Sequence, residues 1–363
     1  MPRKVVLVAG ASGLVGYAAM KHFASDPDCE VIAVSRRRPD ATFGARFIAV
    51  DLADARACAE TFAALGHVTH VIYAALYEQP GLVAGWREAE QISNNDRMLR
   101  NLLNPLEKAA HNFRHLSLLQ GTKAYGVHVR PMHVPAREGR SEMREVENFY
   151  WNQEAFLRAK QQGKAWSFTI LRPVLIVGYS QGSAMNVMAA IGAYAAMLKE
   201  AGQPLHYPGG PPRVGQAIDA DVLARCMAWA GEATVARNET FNVANGDVYC
   251  WPYVWPAIAA AFGMAPGDWL PCSLEADILP REAEWTRIRG KHNLLSPDLK
   301  TFVGLSFQYA DYQMGFGRTE PLPPSFSSTI KLMQAGFHEV MDTEAMFAKW
   351  VRVFQDKQLL PPA

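Results

Sequence analysis

The sequence is poor in cysteine and in net charge, and each shortage excludes a class of protein. Its 363 residues include five cysteines, which are scattered and form no CxxC pair. An odd number of separated cysteines favours reduced thiols, as in the cytoplasm, over a disulfide framework or a zinc site. The formal net charge of +1 gives no electrostatic reason to expect nucleic acid or an acidic membrane as a partner.

Long apolar runs are also lacking. The amino terminus has no apolar core followed by a small-residue cleavage site, so we expect no secretory signal. The longest apolar stretch, at residues 184–198, contains Asn186 and is short for a bilayer span. We interpret it as a buried helix, expect no membrane span, and predict a cytoplasmic protein.

What the first half of the chain does contain is a regular alternation of short β-branched runs with longer stretches of 3.6-residue apolar periodicity, notably at 86–111. Such alternation predicts βαβ units and therefore an α/β fold with a doubly wound parallel sheet. The runs predicted as strands are Val5–Ala9, Val31–Ser35, Phe47–Val50, Val68–Ala74, His115–Leu119 and Phe168–Arg172.

After about Pro173 helical patterns and joints rich in proline and glycine predominate, which predicts a smaller, mostly helical lobe. We assign residues 1–178 to a Rossmann domain, and residues 179–212 and 250–363 to a substrate-binding lobe. The segment Glu239–Asn245 has the pattern of another strand, so the chain is expected to return to the first domain at about 213–249. Helices are predicted at Ser183–Ala201, Ala220–Ala230, Pro252–Phe262 and Thr343–Phe354.

A glycine-rich turn follows the first predicted strand and opens a helical pattern. Gly10, Gly13 and Gly16 have the spacing GxxGxxG. The first would permit a tight turn, the second the approach of the backbone to a pyrophosphate, and the third close packing of the helix on the sheet. The partial positive charge of the helix amino terminus would face the phosphates. The motif therefore predicts a dinucleotide site, the alternative being a turn without a ligand.

The end of the second strand indicates which dinucleotide would bind. Ser35, Arg36 and Arg37 stand where NAD enzymes usually carry an acidic residue for the ribose 2′-hydroxyl. Cations and a small hydroxyl group suit a 2′-phosphate, which favours NADPH, although a solvated basic turn is the alternative. Asp51 and Leu52, after the third strand, are expected to flank the adenine.

The pair YxxxK, which short-chain dehydrogenases use for catalysis, is absent where it would be needed. The one literal match, at 17–21, lies on the helix after the glycine-rich turn, out of reach of a nicotinamide. Tyr150 stands at the expected helix start after the fifth strand, but Glu154 occupies the lysine position. Lys123 instead follows the fifth strand, two residues beyond Gly121, which stands where a serine is usual.

These motifs resemble those of the progesterone 5β-reductase and iridoid synthase-like family, the enone-reducing branch of the extended short-chain dehydrogenases. The similarity runs through GASGLVG, SRR, QGTKAYG, NFY with its following Glu, RPVLIVGYSQGSAMN, DADVLA, ETFNVANGDVYCW and a terminal AGF, DT and FxxW. It implies an NADPH-dependent reductase of the C=C bond of an α,β-unsaturated carbonyl, with Tyr150 and Lys123 as the catalytic pair. It also implies cofactor contacts at Ser12, Gly13, Leu14, Arg36, Arg37, Asp51, Leu52, Ala75, Leu119, Ile176, Ser183, Ala184 and Met185.

Departures from the family pattern concern mainly the substrate pocket. Trp151 replaces the second Tyr of the family's NFYY, and Leu76 replaces a Trp that follows the fourth strand in the plant members. Both departures leave the chemistry intact and argue against a steroid-sized or iridoid-like substrate. The resemblance is to a bacterial-type member, and we expect a small apolar enone as its substrate.

The chemistry of conjugate reduction explains why Tyr150, Lys123 and Gly121 suit this reaction. Hydride addition to the β-carbon of an enone builds negative charge on the carbonyl oxygen, and one good donor stabilises that charge by about 3–4 kcal/mol. Tyr150 is expected to donate, with Lys123 increasing its acidity and holding the tyrosine or the ribose. Gly121 would let the oxygen shift so that the β-carbon meets the hydride.

Other interpretations stay open at this stage. The chain could be a carbonyl reductase or an epimerase of the extended short-chain type, or a non-catalytic NADPH-binding sensor. A homodimer is an open alternative to a monomer. His111 and His115 have i, i+4 spacing, but no third ligand accompanies them, so we predict no metal site.

Overall fold

The computed structural model describes residues 4–79, 85–86 and 88–363. These residues form two compact units. The first unit contains the chain up to Val174 together with Ala220–Val243 and Ser327–Glu339. The second unit contains Leu175–Asp219, Ala244–Phe326 and Val340–Ala363.

The core of the first unit is a parallel sheet of seven strands in the described residues, in the order β10-β6-β5-β4-β1-β2-β3. This order confirms the predicted doubly wound α/β fold. Its strands are β1 (Lys4–Ala9), β2 (Cys29–Ser35), β3 (Arg46–Ala49), β4 (His70–Tyr73), β5 (His115–Leu119), β6 (Ser167–Pro173) and β10 (Glu239–Val243). The second unit adds β7 (Leu175–Val177), β8 (Leu205–Tyr207), β9 (Ala217–Asp219) and β11 (Pro266–Trp269).

The helices of the described residues are numbered in chain order. They are α1 (Leu14–Ala24), α2 (Ala55–Ala63), α3 (Ala89–Ala109), α4 (Phe149–Gln161), α5 (Val187–Glu200), α6 (Ala220–Glu232), α7 (Trp251–Ala261), α8 (Glu282–His292), α9 (Leu299–Val303), α10 (Ser306–Met314), α11 (Ile330–Gln334) and α12 (Thr343–Asp356).

The strands coincide with the apolar runs of the sequence because both faces of a parallel sheet are covered by helices. In β1, for example, all residues after Lys4 are buried. Helix α3 covers the sheet with Leu99, Leu102, Leu103 and Leu106, all fully buried, whose spacing places them on one helical face.

The register of the sheet places the glycine-rich turn at the point where the strand order reverses. Ala9, the last residue of β1, lies opposite Val34 of β2 on one side and Tyr73 of β4 on the other. The chain therefore leaves β1 at the carboxyl edge, where ligands bind in open α/β sheets.

In the second unit, the apolar stretch at 184–198 forms the helix α5, which is buried from Val187 to Leu198 and confirms the interpretation as a buried helix. The helix starts later than predicted because Asn186 caps it, its Oδ1 accepting from the backbone N–H of Met188 at 3.1 Å. Across the described ranges no helix combines the length and the apolarity that a bilayer crossing requires.

The unit boundaries differ from the predicted ones. The first segment of the first unit ends at Val174 rather than at 178, and its second segment is 220–243 rather than 213–249. The unit also includes 327–339, which the sequence predicts in the other lobe. Lys331 of α11 explains the last difference, since its Nζ pairs with Glu239 at 2.6 Å and donates to Thr240 O at 2.9 Å. The segment thus covers β10, an edge strand of the sheet.

Candidate active site

The glycine-rich turn after β1 is packed so closely at Gly10 and Gly16 that a side chain does not fit at either position. Gly10 has a φ of +83°, and a Cβ added there would lie 2.7 Å from Ala74 O. A Cβ added at Gly16 would overlap Gly10 O. The N–H of Gly10 donates to Val34 O at 2.8 Å, which fixes the turn to β2. The turn therefore has the tight, glycine-dependent backbone that its spacing predicts.

The amino terminus of α1 opens directly onto this turn. Gly13 is its N-cap residue, no side chain caps the first turn in the described structure, and no acidic residue lies there. Ser12 and Leu14 flank Gly13 at this position. Backbone N–H groups at such a helix start, together with the helix dipole, suit an anionic ligand. The residues present thus fit the diphosphate of a dinucleotide.

The basic turn after β2 is exposed at Arg36, Arg37 and Arg38. Ser35 is buried, and its Oγ donates to Arg37 O at 2.6 Å, so its hydroxyl group is engaged in holding the turn. The guanidinium of Arg38 lies over the ring of Phe47, 5.4 Å from its centroid. Arg36 and Arg37, the two arginines predicted to contact a phosphate, are thus exposed at the carboxyl end of β2.

The remaining predicted contacts of the first unit lie at the same carboxyl edge. Asp51, exposed after β3, accepts from the N–H of Ala53 at 2.9 Å, and Leu52 is buried. Ala75 follows β4 beside Gly10, and Leu119 ends β5. The other predicted contacts belong to the second unit, in β7 and before α5: Ile176, Ser183, Ala184 and Met185.

Tyr150 lies at the start of α4, as its position in the sequence predicts. Asn148 caps the helix, its Oδ1 accepting from the N–H of Tyr150 at 3.0 Å, and Gln120 Nε2 donates to Tyr150 O at 3.2 Å. A Cβ added at Gly121 would lie 3.4 Å from Tyr150 Oη and 3.5 Å from Pro173 O. The residue that replaces the usual serine is thus next to the tyrosine hydroxyl group.

Lys123 lies in a 3₁₀ turn, Thr122–Tyr125, which follows β5. Its Nζ is 3.3 Å from the centroid of the Trp86 ring, and that ring meets the Tyr150 ring edge-on with centroids 5.5 Å apart. The structure therefore brings Lys123 and Tyr150 together around one indole. Burial lowers the pKa of Lys123, while the negative charge of Glu78 acts in the opposite direction.

Trp86 and Glu78 are site residues that we did not identify from the sequence. The indole Nε1–H of Trp86 donates to Glu78 Oε1 at 2.6 Å, and burial raises the pKa of Glu78. Leu76, which stands at the position of the plant members' Trp, packs against the same cluster, as does Trp151. The tryptophan of this cluster is thus Trp86, ten residues after Leu76 in the chain, and no sequence motif indicates it.

Glu154, at the position of the usual catalytic lysine, has a structural role. It is buried, and its carboxylate pairs with Arg144 at 3.1 Å, Arg158 at 3.0 Å and Arg172 at 3.5 Å. Arg172, itself almost fully buried, also donates through Nε to Gln120 Oε1 at 2.9 Å. This network ties α4 and the end of β5 to β6, and so fixes the elements that carry the two predicted catalytic residues.

The two histidines with metal-like spacing have separate environments. His115 is buried, its Nδ1 lies 3.0 Å from Ser167 Oγ, and burial lowers its pKa to about 3, whereas His111 is exposed. Among the residues that the structure describes, no group of three or more His, Cys, Asp or Glu side chains could hold a metal ion.

Known proteins provide an independent comparison. The (S)-8-oxocitronellyl enol synthase of Antirrhinum majus is 28% identical, over 99% of this chain and 93% of that protein. The 3-oxo-Δ(4,5)-steroid 5β-reductase of Arabidopsis thaliana is 29% identical, over 98% of this chain and 93% of that protein.

Solved structures share the fold at lower identity. The UDP-glucose 4-epimerase of Bifidobacterium longum, solved in complex with NAD+ and UDP, has a TM-score of 0.67 at 17% identity and covers 98% of both chains. At this identity the likeness supports the fold alone.

The family comparison covers most of the sheet and part of the second unit. Residues 52–300, more than half of the chain, match the PRISE-like Rossmann-fold domain. Together with the two plant relatives, this match confirms the resemblance stated from the motifs. The chain belongs to the PRISE-like Rossmann-fold family, that of progesterone 5β-reductase and iridoid synthase.

Proposed function

We propose that the protein reduces the C=C bond of an α,β-unsaturated carbonyl compound with NADPH. The observation that carries the proposal is the grouping of the Tyr150 hydroxyl group beside Gly121 with the Lys123 ammonium group across Trp86. One plant relative is named as the synthase of an 8-oxocitronellyl enol and the other as a 5β-reductase of 3-oxo-Δ(4,5)-steroids, which supports a reaction of this class.

NADPH would lie along the carboxyl edge of the sheet. The turn at Gly10–Gly16 and the start of α1 would bind the diphosphate, and Arg36 and Arg37 the 2′-phosphate. Asp51 and Leu52 would flank the adenine. When bound, the reduced nicotinamide supplies the hydride. The exposed arginines and the lack of an acidic residue in the turn Ser35–Arg38 support NADPH over NADH.

The chain's own contribution is to stabilise the charge that develops on the substrate oxygen. Tyr150 Oη donates a hydrogen bond to that oxygen, and the charged Lys123 stabilises the enolate that forms when the β-carbon accepts the hydride. The enolate then takes a proton from solvent at its α-carbon, which gives the saturated carbonyl compound. Gly121 leaves room for the oxygen beside Tyr150, because neither a Cβ nor a serine hydroxyl group occupies that place.

The substrate class is a small apolar enone. Trp86 and Phe149 pack against Tyr150, and Leu76 and Trp151 contact the same cluster, so the surroundings of the hydroxyl group are apolar and largely aromatic. Such surroundings exclude water and strengthen the hydrogen bond to the enolate oxygen. We further propose a cytoplasmic enzyme, in agreement with five free cysteine thiols.

The test is NADPH oxidation by the purified protein with a small cyclic enone, a steroid enone and a simple ketone, with products identified by mass and NMR. We expect a saturated ketone from the cyclic enone, and its loss in Tyr150→Phe and in Lys123→Ala. Tyr253→Phe, at a tyrosine that is 71% exposed, is the matched control and should retain full activity.

Two results would refute the proposal. An allylic alcohol as the product would place the hydride on the carbonyl carbon, as in a carbonyl reductase. NADPH binding without turnover on any enone would favour a non-catalytic sensor.

A further inference from the structure

We propose that Trp86 and Glu78 are positioning residues that hold the ammonium group of Lys123 at the active site. The inference rests on the proposed function, since it assigns a purpose to the lysine named there. It adds two residues that lie outside the family motifs quoted above, in the segment between β4 and α3.

The first contact is between the ammonium group and the indole. Lys123 Nζ lies 3.3 Å from the centroid of the Trp86 ring, a short cation–π distance that directs the positive charge at the ring face. Trp86 is 3% exposed, and its ring is wedged against Phe149 and Tyr150 at centroid distances of 5.0 and 5.5 Å. The ring therefore fixes the ammonium group relative to Tyr150.

The second contact is between the indole and the carboxylate. Trp86 Nε1 donates to Glu78 Oε1 at 2.6 Å, and Gln91 Nε2 donates to the same oxygen at 3.4 Å. Gln91 is fully buried and also accepts from the N–H of Gln79 at 2.9 Å. Glu78 thus sets the plane of the indole, and its negative charge strengthens the hydrogen bond that holds the ring beneath Lys123.

The third observation concerns the other carboxylate oxygen. Glu78 Oε2 is buried and has no hydrogen-bond partner among the described residues. A buried carboxylate with one free oxygen is costly unless a cation compensates its charge. Lys123, whose ammonium group lies over the same indole that Glu78 holds, is the cation of this cluster, and the negative charge of Glu78 opposes the lowering of its pKa by burial.

These contacts keep Lys123 charged in an apolar place. Burial lowers the pKa of Lys123 and raises that of Glu78, and the attraction between the two charges opposes the change at the lysine. Among the described residues, the other titratable side chains whose rings contact the indole are Tyr150 of α4 and His128, the latter edge-on with centroids 6.4 Å apart. Glu78 is the carboxyl group among them, and its negative charge favours the charged form of Lys123, so its removal should release the proton of Lys123 at lower pH.

The decisive experiment titrates Lys123 directly in the full-length protein. Competitive acetylation over a pH series, with mass spectrometry of the peptide that contains Lys123, gives the pKa of its amine without requiring activity. We expect Glu78→Gln, which keeps the shape of the side chain, to lower that pKa by about one unit. Trp86→Phe, which keeps an aromatic face but removes the N–H donor, should lower it by less.

The matched control is Glu90→Gln, which removes an exposed carboxylate from the same stretch of chain and should leave the titration unchanged. The pH profile of kcat/KM for enone reduction is the second readout, and its basic limb should move to lower pH in Glu78→Gln by the same amount. A merely structural role for Glu78 would change the melting temperature but neither titration.

The two proposals fail in different ways. If the wild-type protein reduces no enone, the proposed function is wrong, while the acetylation series still tests the contacts of Lys123. If Glu78→Gln leaves the titration of Lys123 within the error of the Glu90→Gln control, Glu78 and Trp86 do not hold its charge, and the inference is overturned.

Discussion

Replacing Gly121 by serine should lower the rate of enone reduction strongly while leaving the fold intact. The backbone of Gly121 is extended, with a φ of 178°, so any residue can adopt it without strain. The new Cβ would lie 3.4 Å from Tyr150 Oη and 3.5 Å from Pro173 O, both ordinary contacts. We therefore expect a change in the free energy of unfolding within about 0.5 kcal/mol.

The rate should fall because the serine side chain and the substrate oxygen would compete for the same space beside Tyr150 Oη. The substrate oxygen must come within about 2.6–3.2 Å of Tyr150 Oη to accept its hydrogen bond. The added Cβ takes up space at nearly that distance, and the serine hydroxyl group extends one bond further, so the oxygen must move. A displacement of about 1 Å costs about 100-fold in rate, which corresponds to about 2.7 kcal/mol of the activation free energy.

The assay is kcat/KM for a cyclic enone, followed by product analysis, with Gly121→Ala as an intermediate case. Gly290→Ser is the matched control, because a Cβ added at Gly290 meets no atom within 4 Å. A Gly121→Ser protein that is as stable and as active as the wild type, with the same product, would refute the assignment of this place to the substrate oxygen.

Three further changes test other parts of the structure. Arg36→Ala should raise the KM for NADPH about tenfold and leave the KM for NADH unchanged. The control is Arg38→Ala, because the side chain of Arg38 lies over the ring of Phe47. Equal effects on both cofactors would contradict a contact between Arg36 and the 2′-phosphate. Arg172→Met leaves buried carboxylates without their cation and should lower the free energy of unfolding in urea by about 3–5 kcal/mol, whereas a loss below about 1 kcal/mol would contradict the buried network. Burial lowers the pKa of His70 to about 4 and of His115 to about 3. Between these values and about 6.5 the unfolded chain binds more protons than the folded protein, so the free energy of unfolding falls as the pH drops. The expected loss is roughly 1–3 kcal/mol per histidine between about pH 7 and 4.5. His115→Gln should flatten this dependence in urea titrations at several pH values, and an unchanged slope would show that His115 does not contribute.

The parts of the molecule that could be predicted from the sequence are those that local patterns determine. A strand such as β5 forms a continuous apolar run because helices cover both faces of the sheet, and its bounds are those predicted. The glycine-rich turn and Tyr150 follow from spacing along the chain, since the turn joins adjacent elements and the tyrosine begins a helix.

The parts that could not be predicted depend on contacts between distant segments. Trp86 and Glu78 lie in a stretch without periodicity, and only the fold brings them to Lys123. The return of α11 to cover β10 has the same cause, because the salt bridge between Lys331 and Glu239 joins residues 92 positions apart. Neither contact has a sequence signal that a single chain could reveal.

The position of Glu154 has an evolutionary consequence. In an enzyme with YxxxK a lysine stands four residues after the tyrosine, whereas here that place holds an anion beside the buried Arg172. Changing Glu154 alone to lysine would set two buried cations side by side and remove a carboxylate that three arginines share. Any lineage that passes between the two arrangements must therefore alter Glu154 and Arg172 together, so the two kinds of active site are separated by unstable intermediates rather than by a single substitution.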